Sequence, residues 1–198
     1  MHPNPAFRKT SDAEALAFAR ARGFGTLSVN GLAGPLMAHV PLLLAPDAHH
    51  GLIHLARSNA IALAGLPAPA VFAVMGPDAY VSPDWYGAPD QVPTWNYIAV
   101  HLRGVLEPLP ADTLRDMVDA LSATHESRLA PKTPWTSAKM SAGAMERMMR
   151  MILPFRLVIE EVASTFKLGQ NKPPEQRAGV VAALGARSEI GRRMRELP

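Results

Sequence analysis

The apolar positions of this chain change period several times, and each change predicts an element. In residues 11–23, SDAEALAFARARG, a serine stands three positions ahead of Glu14 and a glycine closes the run, the spacing of an N-terminal capping box and a left-handed C-cap, so a helix is predicted there. FGTLSV and PLMAHVPLLL are β-rich runs around the turn dipeptide Asn30-Gly31 and predict a hairpin. APDAHHG turns the chain again, LIHLA reads as a third strand, and RSNAIALAGL takes up a helical habit with Ser58 or Asn59 available as N-cap. AVFAVMG has the look of a buried strand, followed by PDAYVSPDWYGAPDQVP, a loop long and aromatic enough to cover something.

The next stretch, QVPTWNYIAVHLRG, alternates with a period of two, Trp95, Tyr97, Ala99, His101 and Arg103 against Thr94, Asn96, Ile98, Val100 and Leu102. The second set ends as a core face but begins with a hydroxyl and an amide, which require a polar partner on that side. The strand should run to about Leu109. Asp112 then caps TLRDMVDALSATHE, whose Leu114, Met117, Val118 and Leu121 recur at helical spacing. Residues 127–141 read as a loop. Met145, Met148, Met149 and Ile152 return to helical spacing, as flexible core filler rather than a metal-binding methionine box. PFRLVIEEV sets Phe155, Leu157 and Ile159 against Arg156, Val158 and Glu160, a strand with one face partly wet. KLGQNKPP interrupts it, and EQRAGVVAAL and SEIGRRMREL follow as two short helices split near Gly185. Six or so hairpin-connected strands with inserted helices predict an α+β protein built on an antiparallel barrel: one domain over residues 1–198, with 173–198 as a C-terminal helical appendage.

With 198 residues and 48% hydrophobic content the chain can fill one sizeable core. The absence of cysteine excludes disulfides, thiolate metal sites and cysteine nucleophiles, and agrees with a reducing compartment, the cytoplasm. No apolar run follows a basic patch near Met1, and none is long enough to span a membrane. The net charge of +3 is uneven: from Lys167 onward seven Lys/Arg face three Glu, a basic tail suited to phosphate, to nucleic acid or simply to water.

The common nucleotide signatures are missing, with no G-x-G-x-x-G opening a βαβ unit and no Walker-type loop, and no G-x-S-x-G elbow suggests a hydrolase. His50 and His54 straddle a turn and a strand, where a four-residue spacing does not bring them together, so no metal site is expected. Arg57 and Ser58 are more informative. A guanidinium fork and a hydroxyl where a strand ends and a helix is predicted to start are parts of a phosphate site, although capping by Ser58 or Asn59 and solvation of Arg57 account better for those residues by themselves. KLGQNK adds a cation, amides and a glycine.

Taken together, MHPNPAF, MAHVPLLL, HLARSNA, GPDAYVSPDWY, VPTWNYIAVHLRG and KLGQNK resemble the PaiB-type family of FMN-binding negative transcriptional regulators, almost from end to end, with VPTWNY the most specific match. The chain departs from that pattern at Ser58-Asn59-Ala60, at Asp84 and at Gly169. The resemblance implies an FMN-binding split β-barrel that forms a homodimer with flavin between the subunits. It further implies that His39 and Val40 meet the isoalloxazine and that His54, Arg57 and Ser58 hold the phosphate. Thr94, Trp95, Asn96 and Tyr97 would line the pocket, and Lys167, Gln170 and Asn171 would close it. A Thr/Trp/Asn/Tyr cluster suits a flavin, which needs hydrogen bonds at its pyrimidine edge and flat apolar contact on its rings.

The function so implied is repression of transcription, with Arg192, Arg193 and Arg195 as candidate contacts to promoter DNA in a tail loosely like a helix-turn-helix. A docked helix pair explains the same residues. The alternative is an FMN-dependent oxidoreductase, of the flavin reductase or pyridoxamine-phosphate oxidase kind, using a nicotinamide or small-molecule substrate. No catalytic residue is assigned for it, and only His39, His101 and Tyr97 could donate protons beside a flavin. A third reading is a flavin-dependent sensor whose action on DNA needs a separate partner.

Overall fold

The computed structural model describes residues 1–197, so that Pro198, the last residue of the expected appendage, lies outside the described residues. Seven strands are hydrogen-bonded in the order β2-β1-β5-β6-β7-β4-β3. They are β1 (Phe24–Gly31), β2 (Gly34–Pro41), β3 (Leu43–Leu44), β4 (His50–Ala56), β5 (Ala68–Val81), β6 (Thr94–Pro108) and β7 (Ile152–Lys167). The pairs β1–β2, β1–β5, β3–β4 and β4–β7 are all antiparallel. The helices are α1 (Asp12–Arg22), α2 (Leu114–Glu126), α3 (Ala144–Met149), α4 (Pro174–Leu184) and α5 (Glu189–Arg195). Among the described residues no helix is long and apolar enough to cross a membrane.

The chain divides into two compact units, one of Met1–Ala15, Val74–His101 and Ala163–Pro198, the other of Leu16–Ala73 and Leu102–Val162. In the second unit the core is built from Leu27, Ile53, Leu55, Phe72, Leu102 and Leu157, all at or below 1% exposure. Each such side chain is worth about 1.5–3 kcal/mol relative to leaving it in water. Because strand side chains alternate, a one-residue slip of β1 or β4 would turn Leu27 and Val29, or Ile53 and Leu55, out of that core, which pins the register. In the first unit Val81, Ile98 and Val100 are buried, as are Val180, Ile190 and Met194 of α4 and α5.

Several elements form as the hydrophobic pattern predicts. Ser11 Oγ accepts from the Glu14 amide at 3.2 Å and Gly23 adopts φ +59°, so α1 is bounded by both expected caps. Gly185 separates α4 from α5, and Ser188 caps α5 by accepting from Gly191 N at 3.1 Å.

Other elements differ from expectation, each for a local reason. The hairpin turn sits at Leu32-Ala33, since Asn30 pairs with Pro35 and Gly31 with Gly34 inside the ladder. A Cβ on Gly31 would come within 2.8 Å of Gly34 O and 2.9 Å of Leu36 Cγ, so that glycine serves packing rather than the turn. Residues 57–66 make turns and no helix. Asn59 Oδ1 accepts from Ile61 N at 2.9 Å and only Ile61 is buried, with Leu63 73% exposed, so the segment has no apolar stripe to hold a helix against the core. The helix N-terminus expected beside Arg57 is therefore absent, and with it the partial positive charge of a helix end.

Part of the expected long loop is strand. β5 continues to Val81, which is fully buried, before a 3-10 turn over Pro83–Tyr86 that ends on Gly87 in the left-handed region. Asp112 lies inside a 3-10 turn, Ala111–Thr113, and does not cap α2. None of the α3 methionines is buried, and Met148 is 62% exposed, so they are not core filler.

Candidate functional site

β6 begins at Thr94, and its alternation sends Thr94, Asn96 and Ile98 to one side and Trp95 and Tyr97 to the other. The polar partners that Thr94 and Asn96 require come from within the first unit. Lys167, the last residue of β7, donates from Nζ to Thr94 Oγ1 and, at 2.7 Å, to the Trp95 carbonyl. The same ammonium stands 5.8 Å from the Phe7 ring centroid, and burial pushes it below the usual lysine range. Asn96, 1% exposed, donates from Nδ2 to Met194 Sδ at 3.4 Å, which ties β6 to α5.

The KLGQNK segment braces itself. Gln170 Oε1 accepts from Leu168 N at 2.8 Å and its Nε2 donates to Phe166 O, so the amide shapes its own loop. Lys172 donates to Gln91 Oε1 and stands 4.9 Å over the Tyr86 ring. Asn171 is exposed. Trp95 is 54% exposed and meets Tyr80, itself 46% exposed, edge to face at 6.3 Å. Tyr97 and His101 share the Trp95 side of the strand and are half-buried.

In the second unit, β1, β2 and the first part of β5 carry one uncovered face. The register sets Thr26 opposite His39 and Ala73, and Ser28 opposite Met37 and Val71, so these side chains share a side with Phe24. Phe24 is 55% exposed and Met37 63%, while the polar residues at the centre satisfy each other, Thr26 Oγ1 and His39 Nδ1 standing 2.9 Å apart. Val40 pairs with Gly25 on the same ladder.

At the end of β4 Arg57 is held by its backbone N–H, which donates to Met151 O at 2.8 Å, and by Nε, which donates to Arg150 O at 3.1 Å. Its two Nη groups have no partner among the described residues, and with Arg115, Arg150, Asp112 and Glu146 it lines a cavity of about 400 Å³. Ser58 is exposed beside it. His54 Nδ1 is buried with no hydrogen-bond partner, and burial pushes this imidazole below its ordinary value of 6.5 toward the neutral form. Among the described residues no cluster of three or more His, Cys, Asp or Glu could hold a metal ion.

The sequence pattern singled out Lys167, Gln170, Thr94 and Trp95, and the structure sets all four about the end of β7 and the start of β6, with Lys167 bonded to Thr94 and Trp95. It also adds Lys172, Tyr86 and Phe7, which could have been suspected only from their places within KLGQNK, SPDWY and MHPNPAF. Thr94, Asn96 and Gln170 are committed to partners in their own chain. Arg57, Ser58, His39, Trp95 and Tyr97 remain accessible.

These groups suit the parts of a flavin mononucleotide in kind: a guanidinium and a hydroxyl with uncommitted donors for a phosphate, and exposed rings for a flat heterocycle. Comparison with known proteins agrees. The family described as "Putative FMN-binding domain" matches residues 1–161. The chain belongs to this family. FMN is the cofactor of the domain, which also resembles "Protease synthase and sporulation protein PAI 2" of Bacillus subtilis (strain 168), 28% identical over 181 residues that make up 90% of this chain and 86% of that protein. Among solved structures, the FAD and heme binding protein from Mycobacterium smegmatis matches with a TM-score of 0.60 at 18% identity, covering 90% of this chain and 80% of that one. A conserved hypothetical protein from Mycobacterium tuberculosis matches with a TM-score of 0.60 at 17% identity, covering 85% and 92%. At such identities the likeness is one of fold: the FMN-binding domain has the mixed α+β architecture, an antiparallel sheet with inserted helices, of the flavin-binding split barrels.

Proposed function

We propose that the chain is a negative transcriptional regulator that works as an FMN-loaded homodimer, with the flavin held between subunits. The observation that carries this reading is the uncovered apolar face of β2, β1 and β5, where Phe24 and Met37 surround a hydrogen-bonded Thr26–His39 pair. Such a face is costly in water and favours a second copy of itself. In this reading Arg57, Ser58 and His54 take the phosphate, Trp95 and Tyr97 supply flat contact, and His39 and the Val40 backbone meet the ring. Asn171 approaches the same ligand, while Lys167 and Gln170 support the wall, their polar atoms oriented by Thr94 and by the loop itself. Asn96 acts through its bond to Met194. Bound FMN supplies a two-electron redox centre. The likeness to "Protease synthase and sporulation protein PAI 2" of Bacillus subtilis, together with the motifs shared with the PaiB-type regulators, supports a regulatory use of that centre.

The tail would contribute phosphate contacts. α5 has only seven residues, about 10 Å of helix, and docks by Ile190 and Met194, so it presents arginines rather than inserting along a groove. Arg192 and Arg195 are exposed, and Arg193 approaches Glu196 at 3.4 Å. The test is binding of the purified holoprotein to DNA from upstream of its own gene, over roughly 50–200 mM salt. Binding should weaken steeply with salt, and the Arg192→Ala/Arg195→Ala pair should lower affinity and flatten the salt slope by about two. An absence of binding at low salt, together with anaerobic bleaching of the flavin by NADH or NADPH at a catalytic rate, would replace the regulator with the oxidoreductase.

The phosphate assignment has its own test. Arg57→Ala should raise the FMN dissociation constant about ten- to a hundredfold in a flavin fluorescence titration, since a charge-assisted bond is worth about 1.5–3 kcal/mol. An unchanged constant would move the phosphate away from β4.

A further inference from the structure

The largest cavity among those described in the second unit, about 820 Å³, shares no residue with the proposed flavin site. Its wall is aliphatic, made by Leu42, Leu43 and Leu44 around β3 and by Leu52 on β4. Leu43 and Leu52 stay partly exposed along it, a concave apolar surface of the size that small-molecule sites use. Apart from the imidazoles of His50 and His125, no aromatic ring lines it. A flavin would find no stacking partner there, whereas an alkyl chain would find close contacts along the leucines.

The mouth is cationic. Arg20, at the end of α1, donates from Nη2 to Ala45 O at 2.7 Å and to Pro46 O at 3.2 Å, which holds the β3–β4 turn over the cavity. Arg128 donates from Nη1 to Ala21 O at 2.6 Å and from Nη2 to Arg20 O at 3.3 Å, so both guanidiniums are positioned by carbonyls while further N–H groups stay uncommitted. His125 stands against Gly23, whose left-handed backbone and lack of a Cβ leave room for the ring: a methyl there would lie 3.0 Å from Cε1. The only carboxylate of the lining, Asp47, accepts from the His49 amide at 3.1 Å within its own turn. Two fixed cations against one engaged anion, over an aliphatic wall, match a chain with a negatively charged head.

We propose that this cavity is a second ligand site, for an aliphatic carboxylate whose chain lies along Leu43, Leu44 and Leu52 and whose head meets Arg128. The site gives a flavin-binding regulator a means of sensing a small molecule, because Leu52 and Arg57 belong to one continuous stretch of chain along and just beyond β4. That regulatory use rests on the function proposed above; the binding site itself does not.

The test is titration of the full-length protein with decanoate and decan-1-ol by calorimetry, while the flavin absorbance is followed in parallel. Decanoate should bind saturably, at one equivalent per chain and at least tenfold more tightly than the alcohol, and leave the flavin in place. Leu52→Trp should fill the cavity and weaken decanoate at least tenfold, and Leu43→Trp should do the same should the first variant fail to fold. Arg128→Gln should erase the preference for the acid over the alcohol while leaving the alcohol unchanged. Binding that survives both tryptophans, equal affinity of acid and alcohol for the unmodified protein, or displacement of flavin by decanoate would each overturn the proposal. Protein purified without flavin should still bind decanoate, which separates failure of this site from failure of the flavin reading.

Discussion

Gly104→Ala should abolish the stable fold, or lower the melting temperature by about 8 °C or more. Gly104 is buried in β6, where a Cβ would lie 1.8 Å from Val158 O, 2.9 Å from Val158 C and 3.2 Å from Glu160 N. All three are backbone atoms of β7. An overpacked core usually costs about 1–3 kcal/mol because side chains can turn aside. Here two strands of fifteen and sixteen residues would have to part, so a cost above about 4 kcal/mol is expected, and in a chain of this size each kcal/mol moves the midpoint by about 2–4 °C. Gly65→Ala is the control. Nothing lies within 4 Å of its added methyl and its backbone is not left-handed, so that variant should stay within about 1 kcal/mol of the parent. Differential scanning calorimetry of both proteins decides the matter, and a Gly104→Ala midpoint within about 3 °C of the parent would mean that β6 and β7 do not approach so closely.

Met37→Asp should convert the proposed homodimer to a monomer and strip it of flavin, while leaving the monomer folded. Met37 is 63% exposed on the outer face of β2, opposite Ser28, so a carboxylate there stays hydrated in an isolated chain and costs it little. In a twofold dimer joined by that face the carboxylate would be buried twice, without a partner on either side. An uncompensated buried charge costs about 3–5 kcal/mol, enough to weaken association at least a hundredfold. Light scattering with the flavin absorbance recorded on the same column reads both consequences. A yellow dimer after this substitution would move the interface to another surface, and a colourless dimer would separate flavin binding from association.

The parts of the chain that could be read without a fold are those in which neighbouring residues decide the outcome. Ser11, Glu14 and Gly23 bound α1 through contacts a few residues apart, and the alternation through Ile98, Val100 and Leu102 describes a strand face whatever covers it. Local pattern failed where distant residues had the deciding contact. The hairpin turn moved off Asn30-Gly31 because the ladder extends to Gly31 and Gly34, and residues 57–66 gave up a helical habit because only Ile61 found a core to enter.

Much the same division holds for the site. Its residue types, a guanidinium, a hydroxyl, two lysines and a cluster of rings and amides, stand in short motifs and are visible in one dimension. Which of them are free to meet a ligand is not. Thr94 is occupied by Lys167 seventy-three positions away and Asn96 by Met194 ninety-eight positions away, so their polarity serves the chain's own packing. Arg57 is steered by a carbonyl ninety-three residues on, which leaves its outer nitrogens available.

By itself, then, the order of residues determined the capped helix α1, the pair of short helices that follows KLGQNK, the inward faces of the strands and the family to which the domain belongs, because each depends on spacing along the backbone. Tertiary structure alone decided which polar groups are consumed and which are left, where Phe24 and Met37 remain uncovered, and that leucines from β3 and β4 meet arginines from α1 and from just beyond α2 around one cavity. Hydrogen bonds and burial are settled by whatever lies nearest in space, and across a sheet the nearest atoms are commonly far away along the chain.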